Sequence, residues 1–100
     1  MNNFGLSYNV NKVAAVEKTM GRPLSALVKE LQSEDGASLS TLRALVAGGR
    51  MRYPELDMSM TMELPLAGTM IDKHGTAAIS GAVGRALGDF LKELSEARDG

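Results

Sequence analysis

Residues 9–32 read NVNKVAAVEKTMGRPLSALVKELQ, and this stretch contains the signals of two consecutive helices. Its apolar residues recur every three or four positions, which is typical of one face of an α-helix; they are Val10, Val13, Val16 and Met20, then Leu24, Leu27, Val28 and Leu31. Ser7 or Asn9 can cap the first helix, because either side chain accepts a bond from an unpaired backbone N–H group. Gly21 suits the left-handed residue that ends this helix, and Pro23 suits the first position of the next one. The sequence therefore predicts an N-terminal αα-hairpin.

A third helix and an irregular segment are predicted for the middle of the chain. Ser38 or Ser40 can cap the helix, and Gly48-Gly49 ends it. Its apolar residues again lie at helical spacing, at Leu39, Leu42, Leu45 and Val46. In residues 50–64 this period is lost, and methionine alternates with polar residues between two prolines. Such alternation is typical of a strand, but no partner strand is evident, so we interpret the segment as an irregular, Met-rich linker.

Two further helices are predicted for the last third of the chain, a short one from residue 65 or 66 to 73 and a long one from Thr76 to Leu94 or beyond. Between the apolar and charged faces of the long helix lies a stripe of small residues: Ala77, Gly81, Gly84 and Gly88. Each interior glycine costs about 0.5–1 kcal/mol relative to alanine, and the close approach of another helix would offset that cost. Two interpretations stay open: a crossing with the N-terminal hairpin, or a self-association seam between copies.

Composition limits the protein to one small helical domain. The 100 residues include 12 Ala, 13 Leu and 7 Met but only 8 Val and Ile together. Straight-chain residues lose little side-chain freedom in a helix, whereas β-branched residues lose more, so this mixture favours helices. We predict an all-α fold over residues 1–100, a small bundle of about five helices whose ends, 1–6 and 96–100, are frayed.

Charge and hydropathy argue against nucleic-acid and membrane partners. The chain has 11 basic and 12 acidic residues, a net charge of −1, and it lacks the clustered cations that phosphate binding needs. No apolar run approaches the roughly 18–20 residues of a bilayer span, and the N-terminus has no signal-peptide pattern. The sequence therefore predicts a cytoplasmic protein with neither kind of partner.

Groups that could catalyse a reaction or hold a metal are scarce. The chain has no cysteine and one histidine, His74, without a ligand partner at the i, i+4 spacing of helical zinc sites. We interpret His74 as a helix-terminal residue that interacts with exposed carbonyl groups. The glycines of Gly48-Gly49 and Gly81–Gly84 lack the Gly-Lys-Ser/Thr of a phosphate loop, and no serine has the setting of a catalytic nucleophile. We predict no enzymatic activity, no cofactor and no metal.

Methionine is the one feature that points to binding. Five methionines fall between residues 51 and 70. The Met side chain is unbranched and polarizable, so an exposed cluster suits partners of varied shape. We interpret Met70 as a core residue. For Met58, Met60 and Met62, contact with a partner and packing against the core stay equally open.

Several weak motifs in a particular order resemble a known family. They are Ala15-Val16-Glu17 followed by Gly21 and a Leu-rich helix, the segment STLRALVAG at residues 40–48, MIDKHG at residues 70–75, and a final helix rich in Ala and Gly. Over residues 6–94 the chain resembles the small tail assembly chaperones of long-tailed bacteriophages and related prophages. Two features depart from the family's usual pattern: Gly48-Gly49 followed by Arg50, and Pro65 in the linker.

This resemblance implies a non-enzymatic assembly factor in the cytoplasm of a bacterial host. Such chaperones bind the long, hydrophobic tape measure protein, keep it soluble, promote assembly of the tail tube around it and leave the finished virion. Many also occur as a longer, frameshifted form that contacts the tail tube protein. The family has no catalytic residues to transfer. We assign client contact to Met58, Met60 and Met62, and formation of a homo-oligomer to Ala77, Gly81, Gly84 and Gly88.

Two other functions remain as alternatives. A small nucleic-acid-associated regulator, antitoxin-like or helix-turn-helix, would use its third helix as the reader, with Arg43, Arg50 and Arg52 near phosphates. The near-neutral charge counts against it. A structural tail component would be found in purified particles, whereas a chaperone would be absent from them.

Overall fold

A computed structural model describes residues 4–56 and 58–99, and within these ranges the chain forms five α-helices and no strand. The helices are α1 (Val10–Met20), α2 (Leu24–Gln32), α3 (Leu39–Arg50), α4 (Met58–His74) and α5 (Thr76–Asp99). The all-α prediction is confirmed. Among the described residues, no helix is both long enough and apolar enough to cross a membrane.

The helix α3 is the centre of the bundle. It packs against α1, α4 and α5, and its residues from Ala44 to Gly49 are all buried. The largest fully buried side chains come from α1, α2, α3 and α5 and from the segments before α1 and after α3, and they include Leu6, Val16, Leu27, Leu42, Leu45, Met51 and Ile79. One continuous core therefore joins the N-terminal hairpin to the long C-terminal helix.

The predicted helix ends at the N-terminal half are largely confirmed. The Asn9 side chain accepts a hydrogen bond from the Lys12 backbone N–H (2.9 Å), so Asn9, and not Ser7, caps α1. Gly21 has φ +67° at the end of α1, where a side chain would be strained. Ser38, and not Ser40, caps α3. Pro23 occupies the N-cap of α2 and not the predicted first helical position.

The prediction that Gly48-Gly49 ends the third helix is wrong. The helix α3 continues through both glycines to Arg50, because other parts of the chain cross its surface there. A Cβ atom on Gly48 would lie 2.2 Å from Cγ2 of Val16 in α1, and one on Gly49 would lie 2.9 Å from the Tyr8 ring. These glycines therefore allow close packing and do not break the helix.

The predicted irregular linker at residues 50–64 is confirmed for residues 51–56 and wrong for residues 58–64. The helix α4 begins at Met58 and runs through Pro65 to His74, so the predicted short helix is only its second half. The reason is an inward-facing apolar stripe at helical spacing that continues across the proline: Met60, Leu64, Ala67 and Ile71. Burial of this stripe outweighs the cost of a proline inside the helix.

The structure describes part of both ends that are predicted to be frayed, and fraying itself stays a prediction. Leu6 is buried in the core, and the Ser7 backbone N–H donates to the Gly49 carbonyl (3.1 Å). At the other end α5 continues to Asp99. Residues 1–3 and 100 of the predicted frayed ends lie outside the described residues.

One carboxylate joins the first two helices to the third. Glu30 accepts hydrogen bonds from the Arg22 guanidinium (2.5 Å) and from the Ser38 backbone N–H (2.6 Å). Arg22 first, and then the Ser38 N–H, lower the pKa of Glu30 to about 2. Ser38 is the cap of α3, so this carboxylate fixes the start of the central helix.

Acid should therefore weaken the fold through Glu30. An unfolded glutamate has a pKa of about 4.3, so the stabilisation is complete above that pH and is lost as the pH falls toward the folded value. We expect Glu30→Gln to lower the free energy of unfolding by about 1 kcal/mol at pH 7 and to flatten its fall in acid. Urea unfolding between pH 7 and 2.5 measures both effects, with the exposed Glu34→Gln as control. An acid dependence equal to that of the unmodified chain would contradict this assignment.

Candidate functional site

One side of α4 presents large apolar side chains to solvent. Met58, Met62 and Leu66 are 69%, 66% and 51% exposed, and we name these three residues the α4 outer face. They follow one another at intervals of four, so they form a stripe along the helix. The opposite side of α4 packs into the core. A helix that is apolar on both sides is typical of one with a partner on each side.

The structure separates the three predicted contact methionines. Met58 and Met62 are exposed, as client contact requires. Met60 is 8% exposed and packs in the core, so the prediction that it shares an exposed contact surface with Met58 and Met62 is wrong, although it borders the groove described below. The alternation seen in the sequence does not bring all three to one surface, because α4 is helical and Met60 lies about 200° around the axis from Met58.

The segment before α4 adds two exposed apolar residues. Tyr53 and Leu56 are both more than half exposed. The Ser59 hydroxyl donates to the Tyr53 carbonyl (2.6 Å), and the Ser59 backbone N–H donates to the Leu56 carbonyl (3.0 Å). These bonds attach the segment to the first turn of α4. The apolar surface therefore continues from the α4 outer face toward α1.

An open groove of about 580 Å³ lies between α1 and residues 51–64. Its apolar lining consists of Ala14, Ala15, Met51, Leu56, Met60 and Leu64. Lys18 and Glu55 also border it, so charges of both signs meet the groove. Sequence analysis missed this groove. The available signal was Ala14-Ala15, a pair too small to fill the space between α1 and α4.

The small-residue stripe of α5 faces solvent. No atom lies within 4 Å of a Cβ placed on Gly84 or Gly88, and for Gly81 the one neighbour within that distance is the Arg85 guanidinium. Ala77 is exposed as well. The interpretation of the stripe as a crossing with the N-terminal hairpin is therefore wrong. The self-association seam remains a prediction.

The three arginines proposed for nucleic-acid contact have different surroundings. Arg50 binds Glu63 through Nε (3.2 Å) and donates from Nη1 to the Met70 sulfur (3.2 Å). Arg43 and Arg52 are exposed. The helix α3 is central and eight of its twelve residues are buried, which leaves little of its surface for a DNA groove. The geometry does not favour the regulator.

The buried polar groups serve the fold. The Lys12 ammonium donates to the Ser7 carbonyl, the Ser7 hydroxyl and the Gly49 carbonyl at 3.0–3.2 Å, which uses all three of its protons. Burial lowers the pKa of Lys12. The Tyr8 hydroxyl donates to the Leu45 carbonyl (2.6 Å), and burial raises the pKa of Tyr8. These bonds hold the N-terminal segment on the last turns of α3.

The described residues include one histidine and no cluster suited to a metal ion. His74 ends α4, as predicted, with its ring centroid 4.7 Å from that of Phe4. Within residues 4–56 and 58–99, no three His, Asp or Glu side chains are placed to hold a metal ion. The α4 outer face and the adjoining groove are therefore the candidate site. Comparison of the chain with protein-family models, with curated proteins and with solved structures finds no match.

Proposed function

We propose that this chain is a tail assembly chaperone of a long-tailed phage or prophage, which acts without catalysis. It binds the hydrophobic tape measure protein, keeps it soluble and promotes assembly of the tail tube around it. The observation that carries this proposal is the α4 outer face, three large apolar side chains on the solvent side of a helix whose other side is buried. The resemblance of the sequence to such chaperones supplies the identity of the client.

The chemistry of the outer face fits a client of repetitive apolar helices. Met58 and Met62 adapt their shape to different neighbours, because each side chain has three rotatable bonds and a polarizable sulfur. An amphipathic helix lies in an apolar groove through side chains spaced three and four residues apart. The groove beside Leu56 and Met60 has the volume for several such side chains. One copy therefore offers a helical client two apolar surfaces, the α4 outer face and the adjoining groove.

A long client requires many copies of a small chaperone, so the proposal includes self-association. The open stripe of Ala77, Gly81, Gly84 and Gly88 allows close approach of a second helix backbone. A repeated contact of this kind places successive copies along a client. The tail tube protein is the second partner, reached through a longer frameshifted form. The chaperone acts in the host cytoplasm and leaves before the virion is complete.

Replacing the two exposed methionines should abolish most client binding and leave the fold intact. We expect Met58→Ser/Met62→Ser to weaken capture of the client about tenfold, because the lost apolar contact corresponds to roughly 1.4 kcal/mol. The client for this test is a long, alanine-rich helical protein encoded by an adjoining reading frame, and its soluble fraction on co-expression measures capture. Circular dichroism checks that helix content is unchanged.

A matched control replaces two exposed apolar side chains that lie outside α4. Val10 and Leu39 are exposed to a similar extent but lie on α1 and α3. Val10→Ser/Leu39→Ser should leave client capture unchanged. An equal loss of client capture in the two double variants would contradict the assignment of client contact to α4. Recovery of the chain in purified particles would favour a structural tail component instead.

A further inference from the structure

We propose that Met58 and Met62 form a peroxide-sensitive modification site, whose oxidation to methionine sulfoxide releases the client. The regulatory part of this inference rests on the proposed function. Oxidation turns a flexible apolar side chain into a polar one and thereby disrupts Met-rich contacts. Both sulfurs belong to the α4 outer face, so one modification changes two of its three residues.

Solvent exposure separates two methionines from two that are fully buried. Met58 and Met62 are the most exposed large apolar side chains among the described residues. Met51 and Met60 are buried in the core, although Met60 is separated by only one residue from each exposed methionine. Oxidation follows solvent access to the sulfur. The oxidation rate of Met60 can therefore be compared with those of Met58 and Met62, which are close in sequence but far more accessible to solvent.

Met70 is protected in another way. It is only partly buried, but its sulfur accepts a hydrogen bond from the Arg50 guanidinium (3.2 Å). Peroxide oxidation requires a sulfur lone pair to attack oxygen, and a cationic donor at that lone pair reduces its nucleophilicity. Arg50 is in turn held by Glu63. Met70 should therefore react more slowly than its partial exposure alone implies.

The reaction needs hydrogen peroxide and no group from the protein. The sulfur attacks one peroxide oxygen, the O–O bond breaks, and an S=O bond forms while the second oxygen takes the proton of the first and leaves as water. The thioether loses two electrons, and the peroxide gains them. The sulfoxide oxygen projects into solvent at Met58 and Met62, so the helix is expected to persist. A sulfoxide at Met60 would instead place a polar group in the core.

Peptide mass mapping during mild peroxide treatment tests the site. We expect the added oxygen to appear at Met58 and Met62 at least about tenfold faster than at Met51 and Met60, with Met70 slow and helical circular dichroism unchanged. Arg50→Gln should raise the oxidation rate of Met70 and leave the rates of the other methionines unchanged. Equal rates at Met60 and Met62 in folded protein would overturn the inference.

A second variant separates oxidation from binding. Met58→Leu/Met62→Leu keeps the apolar face but has no sulfur there, so it should capture the alanine-rich client and continue to do so after peroxide treatment. The unmodified chain should lose about tenfold in capture and regain it after methionine sulfoxide reductase treatment. If the oxidised chain captures normally while the double serine variant does not, the switch is wrong and the proposed function stands. If the double serine variant captures normally, the proposed function fails.

Discussion

Gly48→Ala should destabilise the protein by about 1–2 kcal/mol, although the same substitution stabilises most helices. Alanine gains about 1 kcal/mol over glycine in a helix interior. Here the new Cβ would lie 2.2 Å from Cγ2 of Val16, a side chain that is 1% exposed and stiff because it is β-branched. Overpacking of a closed core costs about 1–3 kcal/mol and sometimes more. The loss should exceed the gain, since α1 must move away from α3.

Two further variants identify the cause. Gly88→Ala makes the same change where no atom lies within 4 Å, so it should stabilise the fold by about 0.5–1 kcal/mol. Val16→Ala removes the obstructing methyl groups, and in the double variant with Gly48→Ala the two losses should be less than additive. Urea unfolding at low protein concentration measures each free energy. A Gly48→Ala chain as stable as the unmodified one would contradict the close crossing.

The contrast between these glycines shows what the sequence could and could not predict. Local chemistry narrows the first cap to Ser7 or Asn9 and the third to Ser38 or Ser40 and places Gly21 at a helix end, because a cap depends on neighbours a few residues away. Gly48 and Gly88 look alike locally. One lies against α1 and the other in solvent. That difference depends on which helix crosses at each position, and tertiary packing decides it.

The candidate site was predicted in part for the same reason. The abundance of methionine indicated a binding segment, and exposure at Met58 and Met62 agrees with that prediction. Met60 was misassigned because Pro65 obscured the helical stripe to which it belongs. The groove depends on the distance between α1 and α4, which no single segment encodes. The composition of the segment thus indicated an apolar, methionine-rich binding surface, and tertiary packing determined which residues belong to it.

Pro65→Ala should raise the free energy of unfolding by about 2 kcal/mol. Proline costs about 3 kcal/mol in a helix interior, because it lacks the N–H that would donate to the carbonyl of residue 61 and its ring crowds that carbonyl. Part of the gain is offset, since proline also restricts the unfolded chain by about 0.4–1 kcal/mol. Pro65 is exposed, so no core contact is lost. Urea unfolding measures the gain, and Thr61→Ala in the same helix serves as the control for propensity alone.

The Pro65→Ala variant also tests whether this proline contributes to client capture by the α4 outer face. Pro65 precedes Leu66 and follows Met62 by three residues, so it lies beside the α4 outer face. A more stable chain with unchanged client capture would show that the proline only costs stability. A more stable chain that captures less client would show that the local helix shape at Pro65 positions Met62 and Leu66. No gain in stability would contradict the assignment of an uncompensated helix defect, because the carbonyl of residue 61 would then have another partner.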